Sequence, residues 1–264
     1  MNIVVCVKHV PDATADRHFE TDNTVDRVGA DGLLSELDEY AVEQALQIKE
    51  KQGEGAEVTV TALCVGPEGA VDAVRKALQM GADQGVHVVD DAIAGSDAIA
   101  TSLVLAEAIK KQGTPDLIVC GMASTDGEMS VVPAMLSERL GLPQVTFASV
   151  VETQGDQVRV KRDGDAATEV IGATLPVVLS VTDQTGEARY PSFKGIMAAK
   201  KKPLDSWSLG DLGVDAGEVG LEAAWTAVEA TEARPPRTAG EIVTDEDDSG
   251  ATALVEFLAS KKFI

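Results

Sequence analysis

The chain is 264 residues long, 44% hydrophobic, 25% charged and 3% aromatic. That length suits one large α/β domain or a domain with an appendage, and the shortage of aromatics leaves the core to Val, Ile, Leu and Ala. With 44 acidic residues against 22 basic ones, the formal net charge is -22. This argues against general nucleic-acid binding, because a polyanion would be repelled.

NIVVCV (2–7) reads as a buried strand at the very start, with no signal or transit sequence before it, so the cytoplasm is the expected location. LDEYAVEQALQIKEKQ (37–52) follows as an amphipathic helix, with Leu37, Tyr40, Ala41, Ala45 and Ile48 spaced at three and four. EVTVTALCVG (57–66) is the next strand, EGAVDAVRKALQM (68–80) a helix and GVHVVD (85–90) a short strand. SDAIATSLVLAEAIKKQG (96–113) is a long helix, DLIVCG (116–121) a strand, and a further helix covers about 129–140. Near-continuous apolar strands alternating with helices predict a mostly parallel sheet covered on both faces. From 145 to 182 strand follows strand, broken by QGD and DGD turns, which predicts an antiparallel extension.

The reading divides the chain at 204/205: a Rossmann-like domain over 1–204 and a C-terminal arm over 205–264. In the arm, Pro235-Pro236 and TDEDDSG (244–250) look extended and solvated, while ALVEFLASKKFI (253–264) has the pattern of an apolar-faced helix. No run is long and apolar enough to span a membrane. Cys6, Cys64 and Cys120 each lie in an apolar run without CxxC spacing, which reads as buried thiols rather than a disulfide or metal site.

A sheet of this type holds its ligand beyond the carboxyl ends of its strands. Three loops fall there: KHVPD (8–12), GPEG (66–69) and GMASTDGEMSVVP (121–133). The third is the richest, with Ser124, Thr125, Asp126 and Ser130 leading into a helix, a pattern that suits phosphate. Gly66 allows close approach of backbone to a ligand. Each loop also fits an ordinary strand-to-helix turn, since no GxGxxG or GxxxxGK[ST] occurs. His9 fits a ligand contact or a surface loop, and His87, alternating within a strand, reads as structural. No Ser/His/Asp constellation or metal spacing stands out, so the chain does not read as an enzyme with its own chemistry.

RYPSFKGIMAAKKK (189–202), preceded by TLPVVLSVTDQTGEA (174–188), resembles the signature region of the electron transfer flavoprotein beta subunit. VKHVPD (7–12), LDEYAVEQAL (37–46), GPEGAVDAVRKALQMGAD (66–83), GMASTDGEMSVVPAMLSERLGLPQ (121–144) and RTAGEIV (237–243) resemble its other motifs in order. The resemblance implies a heterodimer. An alpha subunit would hold most of the FAD, this chain would bury AMP, and its arm would pack across the alpha subunit. FAD would carry electrons one or two at a time from acyl-CoA and related flavin dehydrogenases of fatty acid β-oxidation to a quinone oxidoreductase. AMP contacts would fall on Cys6, Ser35, Asp38, Val65 and Gly66, and on Gly121, Ser124, Thr125, Asp126, Gly127, Ser130, Val131 and Val132. Asp126 and Ser130 are the foremost polar candidates. Many members carry Asn-Gln-Thr where this chain has Ser130, Val131 and Val132, which shifts phosphate contacts toward backbone. The position of a flavin-side Tyr in some relatives is Ala13 here.

The loop at 189–202 gathers Arg189, Lys194, Lys200, Lys201 and Lys202 around Phe193. From the residues alone, Phe193 fits a core position and the lysines a solvated helix end. The resemblance makes this loop the docking site for partner dehydrogenases, with Phe193 as apolar anchor, Arg189, Tyr190, Ile196 and Met197 around it, and Lys200, Lys201 and Lys202 steering toward acidic partners. Two alternatives stand beside this reading: a bifurcating flavoprotein subunit with a second FAD in place of AMP, and a stand-alone adenine-nucleotide-binding regulatory protein of the universal-stress-protein type.

Overall fold

In chain order, β1 (Asn2–Cys6) leads into a short antiparallel pair, β2 (His9–Pro11) and β3 (Gly32–Leu34). Then come α1 (Glu36–Lys51), β4 (Thr59–Val65), α2 (Val71–Met80), β5 (Gln84–Val88), α3 (Ala98–Lys111), β6 (Leu117–Gly121), α4 (Val132–Leu140) and β7 (Gln144–Ala148). β8 (Val150–Gln154), β9 (Gln157–Asp163) and β10 (Thr168–Thr174) precede β11 (Val177–Val181), α5 (Phe193–Ala199), β12 (Leu204–Trp207), α6 (Leu209–Leu212) and α7 (Gly250–Ser260). This computed structural model describes residues 1–27, 29, 31–53, 55–232, 234–236, 240, 242–245 and 249–264.

Seven strands form one sheet in the order β12-β5-β4-β1-β6-β11-β7, and every neighbouring pair is parallel. Strands buried on both faces need mostly apolar residues on both, which is why ALCV (62–65) of β4 and VVL (177–179) of β11 run without polar alternation. Successive residues serve opposite faces. Ile3 and Val5 pack with Val42, Ala45, Val74 and Leu78 of α1 and α2. Val4 and Cys6 pack with Val104, Ala108, Ile109 and Leu136 of α3 and α4. Local chemistry sets the helix ends. Asp97 caps α3 by accepting from Ala100 N at 3.0 Å. Gly141 ends α4 at φ 63, a left-handed conformation that suits glycine.

The sequence reading is right about the alternation and the parallel sheet, and the antiparallel extension is narrower than expected. Within 145–182, only β8, β9 and β10 form an antiparallel sheet, whereas β7 and β11 join the parallel one. Val151, Val158 and Val160 turn the inner face of the small sheet onto the same core as α1 and α2. The helix expected from about 129 begins at Val132, after a loop in which Glu128 and Ser130 have positive φ.

The structure divides into two compact units, Met1–Glu229 and Ala230–Ile264. Leu204–Trp207 extends the main sheet along β5, and 205–229 lies in the first unit. The second unit contains α7, where the C-terminal apolar pattern is indeed helical. Parts of RTAGEIV and TDEDDSG lie outside the described residues.

Candidate functional site

The sheet changes direction at β1. From there the chain builds outward through β4 and β5, then crosses by α3 to β6 on the other side. The carboxyl ends of β1 and β6 therefore flank the crevice where doubly wound sheets hold ligands. The N-terminus of α1 opens into this place. Ser35, fully buried, precedes the helix, and its backbone N donates to Lys8 O at 2.9 Å. Its Oγ makes no cap bond and finds no partner among the described residues. A buried hydroxyl without a partner costs roughly 1–3 kcal/mol, so this atom calls for a ligand or water.

Asp38, one turn on, is buried and accepts from Lys8 N at 2.9 Å. Burial pushes its carboxyl up to about 7, against the opposing hydrogen bonds from the Lys8 and Gly121 backbones. Gly121 is required by close approach: a Cβ there would come within 2.5 Å of Asp38 Oδ1 and 2.8 Å of Leu37 O. Gly66 ends the neighbouring strand, and its carbonyl lies 3.1 Å from His87 Nε2, which agrees with a structural role for that histidine. His9, by contrast, stacks against Gly32, where a Cβ would meet its ring.

The loop after β6 is organised by Asp126, whose side chain is 2% exposed. Its Oδ1 pairs with Lys8 Nζ at 2.8 Å and its Oδ2 with Arg27 Nη2 at 2.7 Å. Gly127 N also donates to Oδ1, and Lys8 Nζ reaches Ser124 Oγ at 3.4 Å. Burial alone would raise the Asp126 carboxyl, but the Lys8 charge and the hydrogen bonds from Lys8, Ser124 and Arg27 hold it well below the usual carboxylate range. Arg17 adds bonds to the carbonyls of Thr125 and Asp126. In a strongly acidic protein, three partly exposed cations thus meet at one loop.

The structure brings Cys6, Ser35, Asp38, Val65, Gly66 and Gly121 to the strand ends, and places Ser124, Thr125, Asp126, Gly127 and Ser130 in the loop that follows. Val131 and Val132 open α4. Asp126 faces cations with both oxygens, so it orients Lys8 and Arg27. Sequence reading passed over Lys8, Arg17 and Arg27. Lys8 stood in the first quoted loop, but the two arginines sit in an acid-rich stretch with no local signal.

The second group of candidates surrounds α5. Tyr190 is 92% exposed and Phe193 81%, with Ile196 and Met197 also exposed on the same short helix, so Phe193 is not a core residue. Lys194, Lys200 and Lys201 are exposed. Arg189 and Lys202 differ: Arg189 pairs with Glu43 and Glu50, and Lys202 Nζ donates to Leu78 O and Ala82 O.

A parallel sheet with a prepared crevice at its change of direction defines an α/β protein of Rossmann-like class. The electron transfer flavoprotein domain matches residues 22–212. The chain is 46% identical to the electron transfer flavoprotein subunit beta of Mycobacterium tuberculosis, over 100% of this chain and 99% of that one. It is 45% identical to the Mycobacterium leprae subunit beta, over 100% and 99%, and 37% identical to that of Thermoanaerobacterium thermosaccharolyticum, over the whole of both. The chain belongs to the electron transfer flavoprotein family, among its beta subunits. No helix among the described residues is long and apolar enough to cross a membrane.

Proposed function

We propose that this chain is the beta half of a heterodimeric electron carrier, without a catalytic centre of its own. An alpha subunit holds most of an FAD, and this chain buries AMP at the carboxyl ends of β1, β4 and β6. Bound FAD supplies the redox chemistry, taking up and giving out electrons one or two at a time. The remaining work belongs to this chain's residues. The observation that carries the nucleotide reading is the unpartnered, fully buried Ser35 Oγ at the mouth of α1, at the carboxyl ends of the central strands. Ser35 and the backbone at Gly66 and Gly121 hold the nucleoside side. The loop at 124–131 and the N-terminus of α4 receive phosphate, with Lys8 and Arg27 aimed by Asp126.

Electrons arrive from acyl-CoA and related flavin dehydrogenases that dock on α5, and leave for a quinone oxidoreductase. The exposed Phe193 and Met197 of α5, with Tyr190 just before it, support this part of the reading, because bulky apolar side chains gathered on a surface mark a protein contact. The C-terminal unit, whose helix α7 exposes Leu254, Val255 and Phe257, packs on the alpha subunit.

The test is co-expression with the alpha subunit, purification of the complex and identification of the released nucleotides. One FAD and one AMP per heterodimer are expected, and Ser35→Ala is expected to lower AMP while sparing FAD. Two FADs without AMP would replace this reading with electron bifurcation. A colourless chain that ignores the alpha subunit and carries an adenine nucleotide would make it a stand-alone regulatory protein.

A further inference from the structure

Two of the five cations in the α5 segment are bound within the protein. Arg189 donates through Nε and Nη2 to Glu43, at 2.6 and 3.0 Å, and through Nη1 and Nη2 to Glu50, at 2.6 and 3.1 Å. Its backbone N also donates to Glu43 Oε2 at 3.1 Å. Both acids belong to α1, and the Glu43 side chain is only 7% exposed. Lys202 lies beyond the other end of α5. Its Nζ donates to Leu78 O at 2.9 Å and Ala82 O at 2.6 Å, carbonyls at the C-terminal end of α2, where a cation also complements the helix dipole. Between these two ties, α5 lies backbone to backbone on α2: a Cβ on Gly195 would come within 2.6 Å of Gln79 O. The segment is therefore fastened to α1 and α2 before, within and after the helix, while Tyr190, Phe193 and Met197 remain exposed.

We infer that Arg189 and Lys202 are positioning residues for partner docking: they hold α5 on α1 and α2 so that Tyr190, Phe193 and Met197 form a preformed apolar knob, and neither contacts the partner. This rests on the reading of α5 as the dehydrogenase-docking surface. An anchor ordered in advance avoids the entropic penalty of ordering on contact, so loss of the ties weakens docking although the knob is intact. The matching partner surface is an apolar pocket with an acidic rim, because the cations left free around the knob are Lys194, Lys200 and Lys201.

The experiment uses the purified flavin-loaded heterodimer as substrate of a flavin dehydrogenase that reduces it, with KM and kcat measured at low and high salt. Phe193→Ala is expected to raise KM about tenfold with kcat little changed. Glu43→Gln with Glu50→Gln changes only α1, yet is expected to raise KM to the same degree as Arg189→Met, at both salt concentrations. Lys202→Met should do likewise from the α2 side. Lys200→Gln with Lys201→Gln should raise KM at low salt alone, as steering charges do. Flavin content and hydrogen exchange of the sheet amides are expected to stay at the parent's values, while the α5 amides exchange faster in the Glu and Lys202 variants. An unchanged KM in the α1 double variant and in Lys202→Met would overturn the positioning role, whatever Arg189→Met does. An unchanged KM in Phe193→Ala would instead overturn the docking reading itself.

Discussion

Asp38 and Asp126 sit at the same crevice and are driven in opposite directions. Asp38 titrates at about 7 in the folded protein because it is buried, against about 3.9 when unfolded. Between these values the folded state keeps a proton that the unfolded state has released. Stability therefore falls as pH rises through the window, by up to ~1.4 kcal/mol per pH unit, and levels off above it. Asp38→Asn has no such titration, so its melting temperature relative to the parent should improve from about pH 5 to about pH 8. A constant difference would show that Asp38 does not titrate there. Asp126 has the reverse sign. Its folded carboxyl is held below the usual range, so its contribution is present above about pH 4 and lost as the pH falls below that. Near neutral pH, Asp126→Asn should cost about 1–3 kcal/mol in urea unfolding, with the gap closing in acid. Sequence alone marked both acids as site residues. It could not show that the Asp38 carboxyl is bonded by backbone amides while Asp126 is paired with two cations, since Lys8 and Asp126 are 118 residues apart.

At the scale of elements, legibility followed burial. Strands buried on both faces, such as β4 and β11, announce themselves as apolar runs, and α3 carries its own capping aspartate. β2 and β3 have three residues each, too few for a period, and β12 alternates weakly because it lies at the edge of the sheet. The same limit explains the misplacement of β7 and β11. Strand identity was readable, but parallel or antiparallel pairing depends on partners far off in sequence. The Arg189–Glu43 tie spans 146 residues and left no local mark. Helix ends were better specified. Gly141→Ala keeps α4 but forces a Cβ into left-handed backbone, and should lower stability by about 1 kcal/mol by denaturant titration. Leu136→Ala, which empties a fully buried position in the same helix, should cost about 2–5 kcal/mol by the same measurement.

For the whole molecule, the division at Glu229 separates a packed α/β body from a segment in which α7 carries exposed apolar side chains. A chain ending at Glu229 should therefore melt within a few degrees of the full chain while failing to co-purify with the alpha subunit, as judged by gel filtration of the mixture. Loss of cooperative melting would mean that the C-terminal segment is needed for the body to fold. The order of strands has a consequence for biosynthesis. β11 lies between β6 and β7, although both are made before it, and β12 closes the far edge later still. Until residue 181 leaves the ribosome, β6 and β7 each face an empty slot with a row of unmet backbone donors and acceptors. A nascent chain stalled in the β8–β10 hairpins would thus carry two unpaired strand edges, which other chains could pair with until β11 fills the slot.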